Sequence, residues 1–300
     1  MLPIEAYPIN EFIKYLSYQK RYSPNTIIAY QTDLKAFFAF VIESYAFTPL
    51  TEISPSMVRT WLASLKEMNE SSKTINRKIS SLKSFFKYQL RTETIQSSPV
   101  AAIHSLKISR KLPAYIEQSE TEELFEKVDF SETWEGRLDY LILEILYQTG
   151  IRLSELIYLK ESNIDTSNGT LKVEGKGSKE RLIPISNRLI KHLVNYLEEK
   201  RKKFGTEQNE YLLVNAKGNL LYPKYIYNMS KKYLRLVSTI ERKSPHTLRH
   251  TFATHLTNNG AQINAIKELL GHSSLAATQI YTHNSIEKLK EVHKQAHPRS

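Results

Sequence analysis

Apolar residues in the first hundred positions recur at helical spacing. Phe12 and Leu16 begin one apolar face, and Ser23-Pro24 interrupts the pattern before it resumes toward Val41. A further helix beginning at Ser71 has a predicted buried stripe made of Ile75, Ile79, Leu82, Phe86 and Leu90. Alternation with a period of two is missing from this region. The pattern therefore predicts an all-helical domain of four or five helices.

The pattern changes further along the chain. Serine, proline and basic residues between positions 96 and 113 predict a linker, which we place at 106–114, between an N-terminal domain at 1–105 and a second domain at 115–300. After two helical segments, residues 169–173 and 181–185 alternate like strands around a glycine-containing turn, and helical spacing returns after Asn187. We predict a mainly α protein whose second domain is mixed α/β, mostly helical, with a small antiparallel sheet.

Composition narrows the class of protein. The 300 residues include 42 Lys and Arg against 31 Asp and Glu, a net charge of +11 that suggests a polyanionic partner such as nucleic acid. The absence of cysteine excludes disulfides, thiolate zinc sites and cysteine nucleophiles. The N-terminus lacks a signal-peptide pattern and no apolar run approaches membrane-spanning length, so we expect a cytoplasmic protein without a membrane partner.

Two segments place cations at predicted turns. Gly150 ends one helix and Arg152 begins the next, beside backbone amides suited to a phosphate, with Glu155 three residues on to orient it. An ordinary surface ion pair is the alternative. Lys176 stands between two glycines at the predicted hairpin turn, where it could give a proton to a departing alkoxide or simply be solvated. The rival lysines are Lys172 and Lys179.

Further candidates lie near the predicted start of a helix. Pro245 favours a helix start, which places His246 and Arg249 on one side near that start. His246 and His250 are also a possible metal pair, although no His-Glu-x-x-His arrangement occurs.

The last candidate group surrounds a predicted joint between two helices. Gly271 is typical of a residue that ends a helix, so His272 falls in the joint. Tyr281 follows on the next helix, although nothing intrinsic distinguishes it among 18 tyrosines.

Taken together, these blocks resemble the tyrosine recombinase (phage integrase) family, and most closely its Xer branch. The matching blocks are Thr149-Gly150-x-Arg152-x-Ser154-Glu155, His246-x-Leu248-Arg249-His250, and Leu270-Gly271-His272 followed by Tyr281. Ser23-Pro24-Asn25-Thr26 resembles the start of the family's N-terminal DNA-binding module. The resemblance spans nearly the whole chain.

The resemblance implies six catalytic residues and a reaction through a 3′-phosphotyrosyl intermediate. These residues are Arg152, Lys176, His246, Arg249, His272 and Tyr281. Tyr281 is the implied nucleophile, and the two arginines would neutralise the non-bridging phosphate oxygens. Lys176 is the implied acid for the leaving 5′ oxygen, while a proton-transfer role falls to His246 and a hydrogen bond to the phosphate falls to His272. No metal ion or other cofactor is expected.

The helix beginning at Ser71 also carries a run of cations that predicts contacts to DNA phosphates. Its cations are Lys73, Arg77, Lys78, Lys83, Lys87 and Arg91. We expect them to face outward, opposite the apolar stripe. A merely solvated basic face is the alternative.

The resemblance implies double-stranded DNA with a specific recombination site as the partner, and a homo- or hetero-tetramer on two such sites. It implies a role in chromosome dimer resolution. A second Xer recombinase and a septal DNA translocase are possible further partners, and the C-terminal helix could dock in cis or in trans. A mobile-element integrase with the same chemistry, a DNA-binding regulator without catalysis, and a histidine-ligated metallohydrolase are the alternative functions.

Overall fold

The computed structural model describes residues 4–108, 114–175, 179–205, 210–271 and 283–299, with the side chains of 283–289 excepted. The chain divides into two compact units, Met1–Lys111 and Leu112–Ser300. The helices of the first unit are α1 (Ile9–Lys14), α2 (Pro24–Tyr45), α3 (Pro55–Glu67) and α4 (Ser72–Arg91). A π-helical turn at Tyr15–Gln19 extends α1. This unit is all-helical, as the sequence predicts.

Serine caps begin three of these helices. The hydroxyls of Ser23, Ser54 and Ser71 accept hydrogen bonds from backbone amides three residues on, which satisfies donors that the first helical turn leaves unpaired. Proline at the first position of α2 and of α3 fixes the entry of the chain. The helix starts are therefore encoded locally.

The core of the first unit is aromatic. Phe37 and Phe38 of α2 pack edge-on against Phe86 and Phe85 of α4, and all four rings are fully buried. The expected place of Leu90 in the buried stripe is wrong, because its side chain is 36% exposed while Gln89 is buried. Over five turns the packed face rotates toward the side of Phe85 and Gln89, since the helical repeat is not a whole number of residues.

Ordered chain continues past α4 on the first unit. Val100 and Ile103 are buried in its core, and the Asn76 side chain bonds both backbone groups of Leu106, at 2.9 and 2.7 Å. Much of the serine- and proline-containing stretch after position 96 is thus packed on the first unit.

The second unit combines eight helices and a three-stranded sheet within its described residues. Its helices are α5 (Gln118–Glu126), α6 (Trp134–Thr149), α7 (Leu153–Ile157), α8 (Asn187–Phe204), α9 (Pro223–Val237), α10 (Pro245–Asn258), α11 (Ile263–Leu270) and α12 (His283–Ala296). The strands are β1 (Ile164–Asp165), β2 (Thr170–Glu174) and β3 (Glu180–Pro184), all antiparallel in the order β1-β2-β3. The fold class is therefore confirmed.

The hairpin matches its predicted segments to within a residue, with Leu171 opposite Ile183. The two-residue strand β1 was not predicted, because so short a segment carries no periodic signal. α6 is buried along most of its length and packs against α10. Within the described ranges, no helix has both the length and the apolarity needed to span a bilayer.

The last helix, α12, is joined to the end of α6 by two buried histidines. The ring nitrogen Nε2 of His293 lies 2.9 Å from the Gln148 carbonyl oxygen, and that of His297 lies 3.2 Å from the Tyr147 carbonyl oxygen. The two rings stack at 4.9 Å between centroids. Helix α6 has no intrahelical donors for its last carbonyls, so the histidines supply them. Ile286 and Leu289, expected to form the apolar stripe of this helix, lie outside the described side chains, and Val292 is half-buried.

This arrangement makes the stability of the second unit depend on pH. Burial lowers the pKa of His293, and lowers that of His297 well below its ordinary value of 6.5. Below pH 6.5 the two histidines bind protons in the unfolded chain but not in the folded chain. The stability that they contribute is therefore present above pH 6.5 and is lost as the pH falls. We expect the free energy of unfolding to drop by about 1 to 2 kcal/mol between about pH 7.5 and pH 5.5.

Chemical denaturation of the full chain at a series of pH values measures this slope. His297→Gln retains a donor for the Tyr147 carbonyl but cannot be protonated, so it should flatten the slope. His104→Gln, at an exposed histidine of the first unit, is the matched control and should leave the slope unchanged. A wild-type stability that does not vary across this range would contradict the assignment.

Candidate active site

Three arginines converge on the C-terminal end of α11. Arg181 Nε donates to the Leu269 carbonyl at 2.7 Å, and Arg249 Nη2 donates to the Leu270 carbonyl at 2.6 Å. Arg152 Nη2 donates to the Gly271 carbonyl at 3.0 Å. These consecutive carbonyls form the negative end of the helix dipole and lack intrahelical donors, which is why cations settle there. The two predicted arginines, Arg152 and Arg249, are thereby brought together.

Arg152 lies at the joint between α6 and α7, as its spacing predicts. Gly150 ends α6 in the left-handed conformation, at φ 58°, and Arg152 is the N-cap of α7. Its Nη1 donates to Glu155 Oε1 at 2.7 Å, and its backbone amide donates to Glu155 Oε2 at 2.8 Å. The Arg152 side chain remains 38% exposed, while that of Glu155 is 5% exposed. Glu155 therefore orients the Arg152 guanidinium from its buried side.

The Glu155 carboxylate is held in its charged form by the arginines around it. Burial raises its pKa, but the hydrogen bonds and charge of Arg181, followed by those of Arg152, outweigh burial and lower the pKa to about 2. Glu155 is consequently ionised across the neutral range. The interpretation of this pair as an ordinary surface ion pair does not fit a carboxylate so deeply buried.

Arg181 is a member of this cluster that the sequence analysis did not single out. It lies on β3 with its side chain 5% exposed, and its two terminal nitrogens donate to the two Glu155 oxygens at 3.1 and 2.7 Å. The available signal was positional, because Arg181 shares the inward face of the strand with Ile183. A charged residue at an inward position requires a buried partner.

Arg249 is the most enclosed predicted catalytic residue within the described part of the chain, at 4% exposure. Besides the Leu270 carbonyl, its guanidinium bonds the Gly150 carbonyl. Burial, followed by the charges of Arg152 and Arg181, lowers the pKa of Arg249 to about 10. It therefore remains a cation near neutral pH. These contacts use two of its five N–H groups.

His246 lies one turn before Arg249 on α10. Ser244 caps this helix and Pro245 occupies its first position, which confirms the predicted helix start. His246 is exposed, and its ring lies edge-on to that of His250 at 4.5 Å. In the described residues, no group of three or more histidine, aspartate or glutamate side chains is placed to hold a metal ion.

Lys176, His272 and Tyr281 lie outside the described residues, although neighbours of two of them are described. Gly175 closes the hairpin base by donating from its amide to the Lys179 carbonyl at 2.7 Å. Gly271 ends α11 in the left-handed conformation, as predicted, and its carbonyl bonds Arg152. Of the rival lysines, Lys172 pairs with Glu180 at 2.8 Å, and Lys179 is exposed.

The predicted DNA-binding cations lie on α4 of the first unit. At about 100° per residue, the five cations other than Lys78 fall within an arc of about 120°, and all five are exposed. They are Lys73, Arg77, Lys83, Lys87 and Arg91. The expectation that Lys78 faces outward is wrong, because it is buried and lies 3.6 Å from Asp33 Oδ1. The buried carboxylate of Asp33 draws it inward and also bonds Arg77.

Known proteins similar to this chain are recombinases. The sequence profile of the phage integrase family matches residues 114–288, and that of the phage integrase N-terminal SAM-like domain matches residues 9–93. A tyrosine recombinase XerC from Oceanobacillus iheyensis is 38% identical over 303 residues, which cover 100% of this chain and 98% of that protein. A tyrosine recombinase XerD from Staphylococcus aureus is 35% identical over 293 residues, which cover 97% and 99% of the two chains.

A solved structure shares the fold. The crystal structure of the XerH site-specific recombinase bound to its difH substrate, a pre-cleavage complex, superposes with a TM-score of 0.70 at 26% identity. The match covers 94% of this chain and 83% of that chain.

The close approach of Gly271 to Arg181 can be tested by substitution. A Cβ at Gly271 would lie 3.1 to 3.3 Å from the Arg181 side chain, whereas a Cβ at Gly260 would meet nothing within 4 Å. Both glycines have positive φ, 62° and 83°. Gly260→Ala should cost about 1 kcal/mol from backbone strain alone, and Gly271→Ala about 1 kcal/mol more from crowding. Urea denaturation compares the two variants. Equal destabilisation would show that Arg181 is not packed against Gly271.

Proposed function

The chain belongs to the phage integrase family of tyrosine recombinases, enzymes that cut and rejoin DNA, and from this premise we propose that it is an Xer-type recombinase acting in chromosome dimer resolution. The observation that carries the proposed site is the convergence of Arg152 and Arg249 on adjacent carbonyls of α11. Two guanidiniums fixed side by side match the two non-bridging oxygens of a phosphodiester. The Xer assignment is supported by the XerC and XerD relatives, which match this chain over nearly the full length of both proteins at 38% and 35% sequence identity.

The charge of the cluster favours a bound anion. Three guanidiniums make their described hydrogen bonds to one carboxylate, Glu155, and to four carbonyl oxygens. Positive charge is therefore in excess around Arg152 and Arg249, and it is fixed before the substrate arrives. Such preorganised charge acts most strongly on the transition state, where the phosphate oxygens carry more negative charge than in the ground state.

In the proposed reaction, the Tyr281 oxygen attacks the phosphorus atom and the bond from phosphorus to the 5′ oxygen breaks. The leaving oxygen takes a proton from Lys176, with Lys172 and Lys179 as rival donors. The neighbouring cations favour the phenolate of Tyr281, whose proton passes to His246, and His272 donates a hydrogen bond to the phosphate. The phosphotyrosyl link retains the bond energy, and a 5′ hydroxyl from another duplex reverses the step. The balance needs no nucleotide hydrolysis and no metal ion.

A DNA cleavage assay tests the chemistry. Nicked duplexes carrying a site selected by the wild-type protein from random duplexes trap the covalent intermediate, because the cleaved end diffuses away. In EDTA we expect a protein–DNA adduct on a denaturing gel for wild type and none for Tyr281→Phe. Arg249→Ala should slow adduct formation by about 100-fold or more with DNA binding largely retained, since the arginine acts on developing charge.

Each alternative function gives a different result in this assay. Cleavage without an adduct, or activity abolished by EDTA, would favour a metallohydrolase. Binding without cleavage would favour a regulator. Recombination confined to the ends of a mobile element would favour an integrase over a chromosome dimer resolvase.

The assembly belongs to the same proposal. Double-stranded DNA with a specific site would be bound in the cytoplasm by a homo- or hetero-tetramer on two sites. The partner in a hetero-tetramer would be a second Xer recombinase, and a septal DNA translocase would control strand exchange. The XerC and XerD names among the relatives support this biology by similarity.

The exposed arc on α4 is the proposed phosphate-binding surface of the first unit. Replacing Lys83 and Lys87 by Gln should weaken binding to any duplex and reduce the slope of log affinity against log salt by about 2, because each lost phosphate contact releases about one counterion fewer. Fluorescence anisotropy across a salt series measures the slope. Lys14→Gln with Lys35→Gln is the charge-matched control on exposed positions of α1 and α2. An equal change in the control would refute a specific role for α4.

A further inference from the structure

The contacts of Arg181 point to a function beyond charge balance. We propose that Arg181 is a positioning residue that ties Glu155, the carboxylate orienting Arg152, to the end of α11 from which His272 follows. This inference rests on the proposed recombinase function and adds to it a residue whose described hydrogen bonds go to Glu155 and Leu269. Arg181 acts through its neighbours.

One guanidinium makes both connections. Its terminal nitrogens bind both oxygens of Glu155, and its Nε binds the Leu269 carbonyl at 2.7 Å. The fork fixes the carboxylate in one plane, so Glu155 Oε1 presents its remaining lone pair to Arg152 Nη1 in one direction. The third contact fixes α11 along its axis relative to the same carboxylate. The elements α7, β3 and α11 are thereby held at one point.

Arg181 lies close to the two glycines that precede further predicted catalytic residues in the chain. Gly271, the residue before His272, is so close that a Cβ there would lie 3.1 Å from Arg181 Nη1. Gly175, the residue before Lys176, would place a Cβ 3.7 Å from the same nitrogen. Glycine is favoured at position 271 both by its φ of 62° and by this approach. Arg152 is therefore bonded to a partner of Arg181, and Lys176 and His272 directly follow glycines that lie close to Arg181.

Lysine cannot reproduce this geometry. Its single ammonium can bond one Glu155 oxygen, but it lacks both the planar fork and the Nε donor that reaches Leu269. Gln retains polarity and loses the charge, which leaves the buried carboxylate with Arg152 as its main cation. These two substitutions therefore separate loss of geometry from loss of charge.

Loss of Arg181 should also make the site sensitive to acid. Glu155 faces three cations, namely Arg152, Arg181 and Arg249. Burial raises its pKa, and Arg181 is the largest influence opposing burial. Without Arg181 the pKa of Glu155 rises, and protonation removes the charge that holds Arg152. The cleavage rate of Arg181→Gln should then fall as pH decreases, over a range in which Glu155 of the wild-type protein stays ionised.

The test is single-turnover cleavage of the nicked duplex at saturating DNA, measured against pH on the full-length protein. We expect Arg181→Gln to cleave roughly 100-fold more slowly than wild type, as a misplacement of about 1 Å can cause, with its dissociation constant for the duplex unchanged. Arg181→Lys should give an intermediate rate. Glu155→Gln combined with Arg181→Gln should be no slower than the slower single variant, because both act through the same contact.

Matched controls separate positioning from folding. Arg137→Gln removes an arginine from an exposed ion pair with Glu199 at 2.9 Å and should cleave at the wild-type rate. Circular dichroism at the assay temperature verifies that each variant is folded, and the double variant carries no unpaired buried carboxylate if Arg181→Gln is unstable. A folded Arg181→Lys that cleaves at the wild-type rate, or a pH-independent ratio of Arg181→Gln to wild type, would overturn the inference. A wild-type protein that forms no adduct would instead contradict the recombinase proposal.

Discussion

The hydrogen bonds from three arginines to the last turn of α11 are the interaction on which the site depends. Helix ends expose carbonyls without partners, and three consecutive ones meet Arg181, Arg249 and Arg152 in turn. The carbonyls supply partial negative charge that makes cation crowding tolerable without neutralising it. The arginines in turn fix the helix end. Strand β3, the hairpin base at Gly175, the joint between α6 and α7, and the end of α11 all lie at this cluster.

Local signals made part of this site predictable from sequence. Gly150, Pro245 and Gly271 mark helix boundaries through their own backbone preferences, so Arg152 and Arg249 could be placed near helix ends without knowledge of the fold. The fold class could be predicted from the hydrophobic period, because that period is also a local property of each segment. Convergence of the arginines on α11 could not be derived, because it depends on packing between elements far apart in the chain.

The positions that escaped prediction depend on tertiary contacts. Arg181 resembles any strand residue until Glu155 and Leu269 are brought against it. Lys78 appears on the basic helix as one more surface cation, yet Asp33 and the ring of Trp61 hold it inside the first unit. In both cases a buried carboxylate selects the cation. Hydrophobic periodicity cannot predict such pairing. It indicates which face of an element is buried, but not which charged residue that face will contact.

The histidines of α12 give the C-terminal helix a precise electrostatic requirement. His293 and His297 provide donors to the Gln148 and Tyr147 carbonyls, two residues or three before the Gly150 carbonyl that holds Arg249. Removing α12 would leave these two buried carbonyl oxygens of α6 without hydrogen-bond donors. The cost in stability would be about 1–3 kcal/mol for each, at the end of the helix that also bonds Arg249. Any other segment that takes the place of α12 against the end of α6, from this chain or from another, must therefore supply two hydrogen-bond donors at the same spacing.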